Sequence, residues 1–442
     1  MNLSSMIIGQ PKVSWRIRRM SKKNAFYAQS GGVTAVINAT ACGLIETARL
    51  YKNKIGKVYA GCNGIIGALT EDLIDTSKET SKAIAGLRYT PGGAFGSCRY
   101  KLKGLEEHHA EYERLLDVFK AHHISYFFYN GGGDSQDTAH KICLLSQKMD
   151  YPLTCIGIPK TIDNDLPLTD NCPGFGSVAK YIAISTYEAG LDVASMCANS
   201  TKVFIMEVMG RHTGWIAAAS GLAMQKVGDP PHIILFPEIP FDETLFLQQV
   251  DKTVKKWGYC VVVLAEGIRD SKKQFLAESG ISDSFGHKQL GGAAPVIAQL
   301  VKAKLGYKYH WALPDYLQRS ARHIAAKVDV DQAYALGKAA VELAVNGKSG
   351  VMPSIVRKSG KRYQWTIGEA KLADVANQEK KLPLSFITKD GFHITQPCRD
   401  YLLPLIQGED YPPYQKGLPD YIRLKRVKVK KKLRNFAFEL KL

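Results

Sequence analysis

Two carboxylates and a lysine share one short stretch of this chain, Pro159-Lys160-Thr161-Ile162-Asp163-Asn164-Asp165. An aspartate placed so can take the proton from a hydroxyl that attacks phosphorus. A second carboxylate nearby can hold a metal or raise the pKa of the first. The plainer alternative is a turn in which Asp165 caps and Asn164 adopts a left-handed conformation. A second stretch, Asn130-Gly131-Gly132-Gly133-Asp134-Ser135-Gln136-Asp137, carries three consecutive glycines followed by an acid. Glycines let phosphate oxygens approach backbone N–H groups, and a carboxylate inside such a cradle suggests Mg²⁺. Asp134 or Ser135 capping a helix would explain one polar residue, but three glycines exceed what a cap requires. Met209-Gly210-Arg211-His212-Thr213-Gly214-Trp215 fixes an arginine beside glycines, which suits a bidentate phosphate contact or developing charge better than a surface salt bridge. Weaker signals are Ser30-Gly31-Gly32, equally readable as a tight turn, Arg99 at the end of the glycine-rich run 91–99, and Tyr316 with Arg319 in the run 314–319. No glycine loop ends in Gly-Lys-Ser/Thr, which removes P-loop chemistry.

Each of the main loops follows a short apolar run. Strands are expected at Ala25–Gln29, Lys57–Ala60, Ile124–Tyr129, Thr154–Ile158, Val203–Val208, Ile233–Phe236 and Cys260–Ala265. Uninterrupted runs such as Val261-Val262-Val263-Leu264 suit strands covered on both faces. Helical patterns fall between them; Leu336, Ala340, Leu343 and Ala344 share a face, with Asn346-Gly347 as a C-cap. Alternating strand and helix gives an α/β, doubly wound architecture, in which ligands bind outside the carboxyl ends of strands. Long loops are expected at 166–176 and 228–240, and the chain after Glu409-Asp410-Tyr411-Pro412-Pro413 reads as an appendage.

The 442 residues are 45% hydrophobic and 23% charged, which excludes disorder over most of the chain and supplies a sizeable core. No apolar run approaches the ~18 residues of a membrane span. Met6-Ile7-Ile8 lacks a basic stretch before it, so no secretory signal is expected. Nine cysteines without a C-x-x-C pair read as reduced thiols in the cytosol, neither a disulfide frame nor a zinc site. The formal charge of +18 sits at the ends: Lys12, Arg16, Arg18, Arg19, Lys22 and Lys23 at one, and the acid-free run 423–434 at the other. Such a tail can bind RNA or anionic lipid, but a solvated face or an aid to assembly is the favoured reading.

Together these features describe a phosphate-handling α/β enzyme with Mg²⁺ and a carboxylate base. The strings SGG, GSCR, GGGDS, PKTIDND and MGRHTGW, in this order and spacing from about Asn24 to about Val345, resemble the phosphofructokinase family. PKTIDND with MGR is highly specific; GGGDS alone would fit NAD kinases and diacylglycerol kinases, which lack both. The resemblance implies two similar Rossmann-like doubly wound domains facing each other across the active site. It divides the chain into a basic extension (1–23), a phosphate-donor domain (24–175 plus about 318–350), a sugar-phosphate domain (176–317 plus about 351–420) and a basic tail (421–442). It implies phosphoryl transfer to the C1 hydroxyl of fructose 6-phosphate, with Asp163 as catalytic base and Thr161 and Asp165 flanking it. Arg211, in the Met209-Gly210-Arg211 motif beside the substrate, and Glu266, which resembles the carboxylate holding the sugar hydroxyls, follow by motif. So do the substrate contacts Gly32 and Arg99. Lys202 occupies a position from which relatives reach the sugar phosphate of a neighbouring subunit, and Arg319 resembles another 6-phosphate contact. His310 and Tyr316 depart from the pattern, standing where bacterial ATP-using members have an arginine and a histidine; Tyr316 can still donate a hydrogen bond.

Within that resemblance two residues decide the donor. ATP-using members carry a glycine where this chain has Asp134, and typically a glycine where it has Lys160. Asp134 would crowd and repel the α-phosphate of a nucleotide, whereas Lys160 supplies charge that pyrophosphate, lacking adenosine, needs. Opposite charges ~4 Å apart at an effective dielectric near 20 attract by about 4 kcal/mol before desolvation. The pattern is the pyrophosphate-dependent one, with Mg²⁺ contact assigned to Asp134 and a nearly reversible step. Sedoheptulose 7-phosphate is a further acceptor in this clade. An ATP-dependent phosphofructokinase, and a regulatory or nucleic-acid-binding protein on the same fold, are the competing readings; intact Asp163, Asp165 and Arg211 argue against the latter. A cytoplasmic homodimer or homotetramer is expected, since Lys202 would act across a subunit boundary.

Overall fold

A computed structural model describes residues 22–436 except 103, 105, 106, 108, 283–287, 291 and 361. The basic run 12–21 and residues 437–442 lie outside the described residues. The expected strands all form: β1 (Lys23–Ser30), β2 (Ile55–Gly61), β5 (Ile124–Gly131), β6 (Thr154–Pro159), β7 (Val203–Val208), β8 (Ile233–Leu235) and β9 (Cys260–Ala265). They are joined by β3 (Leu73–Asp75), β4 (Ser97–Cys98), the hairpin β10 (Glu278–Ser282) and β11 (Lys288–Leu290), β12 (Tyr309–Ala312), β13 (Val351–Arg357) and β14 (Trp365–Lys371).

Two sheets result. The first runs β14-β13-β6-β5-β1-β2-β3, with β4 against β1; the second runs β12-β7-β9-β8. The second sheet is parallel throughout, and the centre of the first is parallel with antiparallel pairs at each end. Continuous apolar runs earn their burial because neighbours point to opposite faces and both faces are covered. On β1, Phe26 enters the core of one face beside Phe127 and Phe119, while Tyr27 enters the other beside Phe128 and Ile156. The Phe26 and Phe127 rings stack with centroids 5.7 Å apart. The second sheet repeats this, with Val263 and Ala265 on one side and Val262 and Leu264 on the other.

Helices cover the faces. The helix Ile37–Leu50 packs on Lys327–Val345 through a mutual notch: a Cβ on Gly43 would lie 2.2 Å from the Tyr334 carbonyl, and one on Gly337 2.0 Å from that of Thr40. The long helix Phe175–Met196 begins where buried Asp329 accepts from the N–H groups of Gly174 and Ser177, both at 2.9 Å.

Two expectations of organisation need correction. Residues 351–371 were assigned to the sugar-phosphate half, yet β13 pairs with β6 and so extends the first sheet. Here an antiparallel hairpin is added to a parallel edge. The residues after 413 are no loose appendage either. Asp75 N–H donates to the Val427 carbonyl and Val429 N–H to that of Leu73, so the tail runs along β3. Val429 and Leu433 pack on the first core. Among the described residues no helix is long and apolar enough to cross a membrane.

Candidate active site

The carboxyl ends of β1, β5 and β6 face those of β7 and β9 across a cleft of about 1150 Å³. A strand's last residues fix direction, and the loop that follows takes whatever conformation its glycines permit. After β5, Gly131 has no room for a side chain: a Cβ there would lie 2.0 Å from Ser135 Oγ. The close turn starts the helix Gly133–Lys148 at the cleft, so its first N–H groups and the positive end of its dipole border the space. Asp134 stands at that end with a Lys101 ammonium 2.5 Å away.

After β6, Lys160 N–H donates to the Gly131 carbonyl, which locks this loop to the last. Thr161 Oγ1 accepts from Asp163 N–H at 3.0 Å and donates to Asp163 Oδ2 at 3.2 Å, while Thr213 Oγ1 donates to the Asp163 carbonyl. Asn164 takes the left-handed conformation (φ 55°) expected of the plainer reading, but as part of this loop and not in place of a site. Burial raises the Asp163 carboxyl above the usual range, against the opposing pull of Lys160 and Arg211. Asp165 is pushed up to about 7 by burial, by Asp163 and by Glu379, and its Oδ1 is buried without a hydrogen bond. Lys160, 5% exposed, donates from Nζ to the Gly32 carbonyl at 2.7 Å. Burial, with the cations of Arg319 and Arg99 adding to it, lowers its ammonium to about 8 against the pull of Asp163.

From the second sheet, Arg211 and Met209 line the cleft after β7 and Glu266 after β9. Gly210 is set behind the cleft wall, at φ 136°, with its N–H directed at Glu266 Oε1 at 3.4 Å. Glu266 is pushed up to about 7 by burial and by Asp163, with Arg211 opposing. Arg319 reaches back across the cleft: a Cβ on Gly32 would lie 2.4 Å from Arg319 Nη1 and 3.9 Å from Arg99 Nη2. Its guanidinium stacks on the Tyr316 ring, 4.0 Å from the centroid. Three cations thus gather around Gly31-Gly32, a grouping that suits an anion with more than one phosphate.

Gly32, Arg99, Asp134, Lys160, Thr161, Asp163, Asp165, Met209, Arg211, Glu266, Tyr316 and Arg319 therefore share one cleft. Lys202 does not line it; its Nζ bonds the carbonyls of Cys197 and Ala198 at the end of helix 175–196. His310 is exposed on β12, at the edge of the second sheet. Sequence reasoning missed Asn377, Gln378 and Glu379, which close one side of the cleft. Asn377 donates to Asp137 Oδ1 at 3.1 Å, and Glu379 meets His212 Nδ1 at 3.0 Å. It also missed Gln318, which accepts from Met209 N–H, and Glu207, which accepts from the first turn of helix Ala293–Leu305. For Glu207 the signal was an acid inside an otherwise apolar strand; for 377–379 there was none.

The chain is 64% identical over 417 residues to the pyrophosphate–fructose 6-phosphate 1-phosphotransferase of Halomonas elongata, covering 94% of this chain and all of that one. It is 65% identical over 414 residues to the protein of the same name from Methylococcus capsulatus, covering 94% and 99%. The crystal structure of pyrophosphate-dependent phosphofructokinase from Marinobacter aquaeolei superposes with a TM-score of 0.87 at 63% identity, over 95% of this chain and 100% of that one. The phosphofructokinase family model matches residues 24–344, and the chain belongs to that family.

Proposed function

We propose that the protein transfers a phosphoryl group reversibly from pyrophosphate to the C1 hydroxyl of fructose 6-phosphate, giving fructose 1,6-bisphosphate and phosphate. The observation that carries this reading is Lys160, buried at the base of the cleft with its ammonium on the Gly32 carbonyl and two arginines nearby. A small, highly charged donor without a nucleoside needs such concentrated charge. The relatives that match over nearly the whole chain carry names that state this donor and this acceptor.

Asp163 accepts the proton of the attacking hydroxyl. Its carboxyl is oriented by Thr161 and its backbone by Thr213, so little reorganisation is left for the reaction itself. Arg211 and Lys160 both act on that carboxylate from the same cleft and stabilise the negative charge on the transferring group. Glu266 and Met209 position the sugar.

The donor set suits Mg²⁺. This ion takes one or two carboxylates together with substrate phosphates and keeps several waters, so a cluster of three acids is not required, and none occurs among the described residues. The buried Asp165 Oδ1 without a partner and the cleft-lining Asp134 would hold it. Bound there, the ion would neutralise charge on the donor phosphates. The protein is further read as a cytoplasmic homo-oligomer. Exposed Trp311, Leu313 and Leu317 on and after edge strand β12 support an interface there. A coupled assay offering pyrophosphate and ATP in turn tests the reading; brisk use of ATP with no use of pyrophosphate overturns it.

A further inference from the structure

The ammonium of Lys380 lies among three oxygens, none of them on an ionised group: Asp170 carbonyl at 2.9 Å, Thr169 carbonyl at 3.1 Å and Asn164 Oδ1 at 3.3 Å. All three belong to the loop that follows β6. The main chain of Lys380 grips the same region: its N–H donates to the Asp165 carbonyl, and its carbonyl accepts from Trp215 Nε1 at 3.1 Å. Trp215 opens the short helix after the Arg211 loop, and the Lys380 ammonium also lies 5.5 Å from the centre of its ring. Three residues earlier, Asn377 is tied to Asp137 in the helix that starts at the glycine cradle. One segment therefore stitches together the loops of Asp134, Asp163 and Arg211.

We propose that Lys380 is a positioning residue for the transfer reaction, acting through Asn164 to hold the Asp163 carboxylate at its working place. The link runs through a strained position. Asn164 is fully buried at φ 55°, adjacent to Asp163, so its amide is shut off from bulk solvent. Its Oδ1 is shared between Lys380 and Cys172 N–H, and its Nδ2 donates to Tyr401 Oη. Without the cation, two main-chain carbonyls and one side-chain oxygen lose a charged donor at once, and the left-handed turn loses its one charged restraint, keeping only the bonds to Cys172 N–H and Tyr401 Oη. A misplacement of about 1 Å at a reacting group costs about 100-fold in rate. Lys380 does not line the cleft, so the effect belongs to kcat and not to binding.

This inference rests on the reading of Asp163 as the base, and the test separates the two. Lys380→Met, which keeps the stem and removes the charge, is compared with the unmodified full chain for kcat and KM toward fructose 6-phosphate and pyrophosphate. Amide exchange of the peptide spanning 161–172 is followed in parallel. The expected result is a fall in kcat of about 10- to 100-fold with both KM values within about threefold and faster exchange at 161–172 but not at 22–60. Unchanged kcat, or a loss confined to KM, overturns the proposal. Should Lys380→Met not fold, Lys380→Gln carries the test. It removes the charge but can still donate a hydrogen bond, so kcat must fall with KM held, and an undiminished kcat overturns the proposal. If the unmodified protein ignores pyrophosphate, the functional reading fails, while the exchange comparison still judges the clamp.

Discussion

Lys160 Nζ sits 2.7 Å from the carbonyl oxygen of Gly32, so the loop after β6 is bonded through its lysine to the loop after β1. The cation is thereby held at the base of the cleft before any ligand arrives. Replacing it by methionine keeps the buried stem and removes the charge. Loss of an attraction worth about 2–4 kcal/mol should lower kcat/KM for pyrophosphate by roughly 30- to 1000-fold, with a much smaller effect on KM for fructose 6-phosphate. Steady-state kinetics of Lys160→Met with each substrate varied in turn checks this; equal losses toward both would place the lysine elsewhere in the mechanism. Because Lys160 titrates near 8, the KM of the unmodified protein for pyrophosphate should also rise as pH passes above that value.

Asp163 has its Oδ2 on Thr161 Oγ1 and its backbone on Thr213, and both contacts survive replacement by asparagine in outline. Asp163→Asn should therefore leave sugar binding largely intact while removing the proton acceptor. General-base catalysis contributes about 10²- to 10⁴-fold, and kcat should fall by at least that. Calorimetric titration with fructose 6-phosphate, set beside turnover, checks it: a mutant with normal kcat removes Asp163 from the chemistry.

The two sheets and most of the cleft were legible because their physics is local. Strands buried on both faces must be continuously apolar, as β9 and the middles of β1 and β5 are, and close phosphate approach demands glycine, as at 31–32 and 131–133. What escaped depends on distant pairing. Glu379 enters the cleft only because Asn377 is tied to Asp137 and Lys380 to Asn164, contacts across more than two hundred positions that no spacing records. The hairpin of β13 and β14 reads as an ordinary strand pair, and nothing within it says which sheet edge it joins. Lys202 stands outside its own cleft, as a residue expected to act across a subunit boundary must.

Asp165 makes the cleft costly to the empty protein. Its carboxyl is raised to about 7 in the fold, mainly by burial, whereas in the unfolded chain it ionises near 4. Between those values the unfolded chain releases a proton that the folded one keeps, so stability falls as pH rises through this window and the cost is complete above about 7. Asp165→Asn should thus raise the thermal midpoint at pH 8 by several degrees, at about 2–4 °C per kcal/mol for a domain of 150–250 residues, and have little effect near pH 4. Scanning calorimetry at both pH values decides it; a gain equal at both would show that the carboxyl is not titrating in the fold. The same mutant should lose activity, a trade of stability against function.

Glu71 ties the basic tail to the body. Its carboxylate is buried at φ 58°, accepts from the N–H groups of Lys432 at 2.6 Å and Leu433 at 3.1 Å, and pairs with His122 Nε2 at 2.6 Å. Burial raises its carboxyl, but the Lys432 N–H, His122 and the Leu433 N–H together hold it below the ordinary range. Deleting residues 428–442 would open this carboxylate to water and strip Val429 and Leu433 from the first core. Hydrogen bonds to a charged group contribute about 1.5–3 kcal/mol each when left unmade, and part of that returns through hydration. A net loss of about 2–4 kcal/mol, or roughly 4–16 °C in the thermal midpoint, is expected, together with faster amide exchange along β3. The result discriminates between roles for the tail. A strap that holds β3 in place loses stability on deletion in any salt. A free polybasic arm would leave the midpoint unchanged and lose only a salt-sensitive affinity for polyanions.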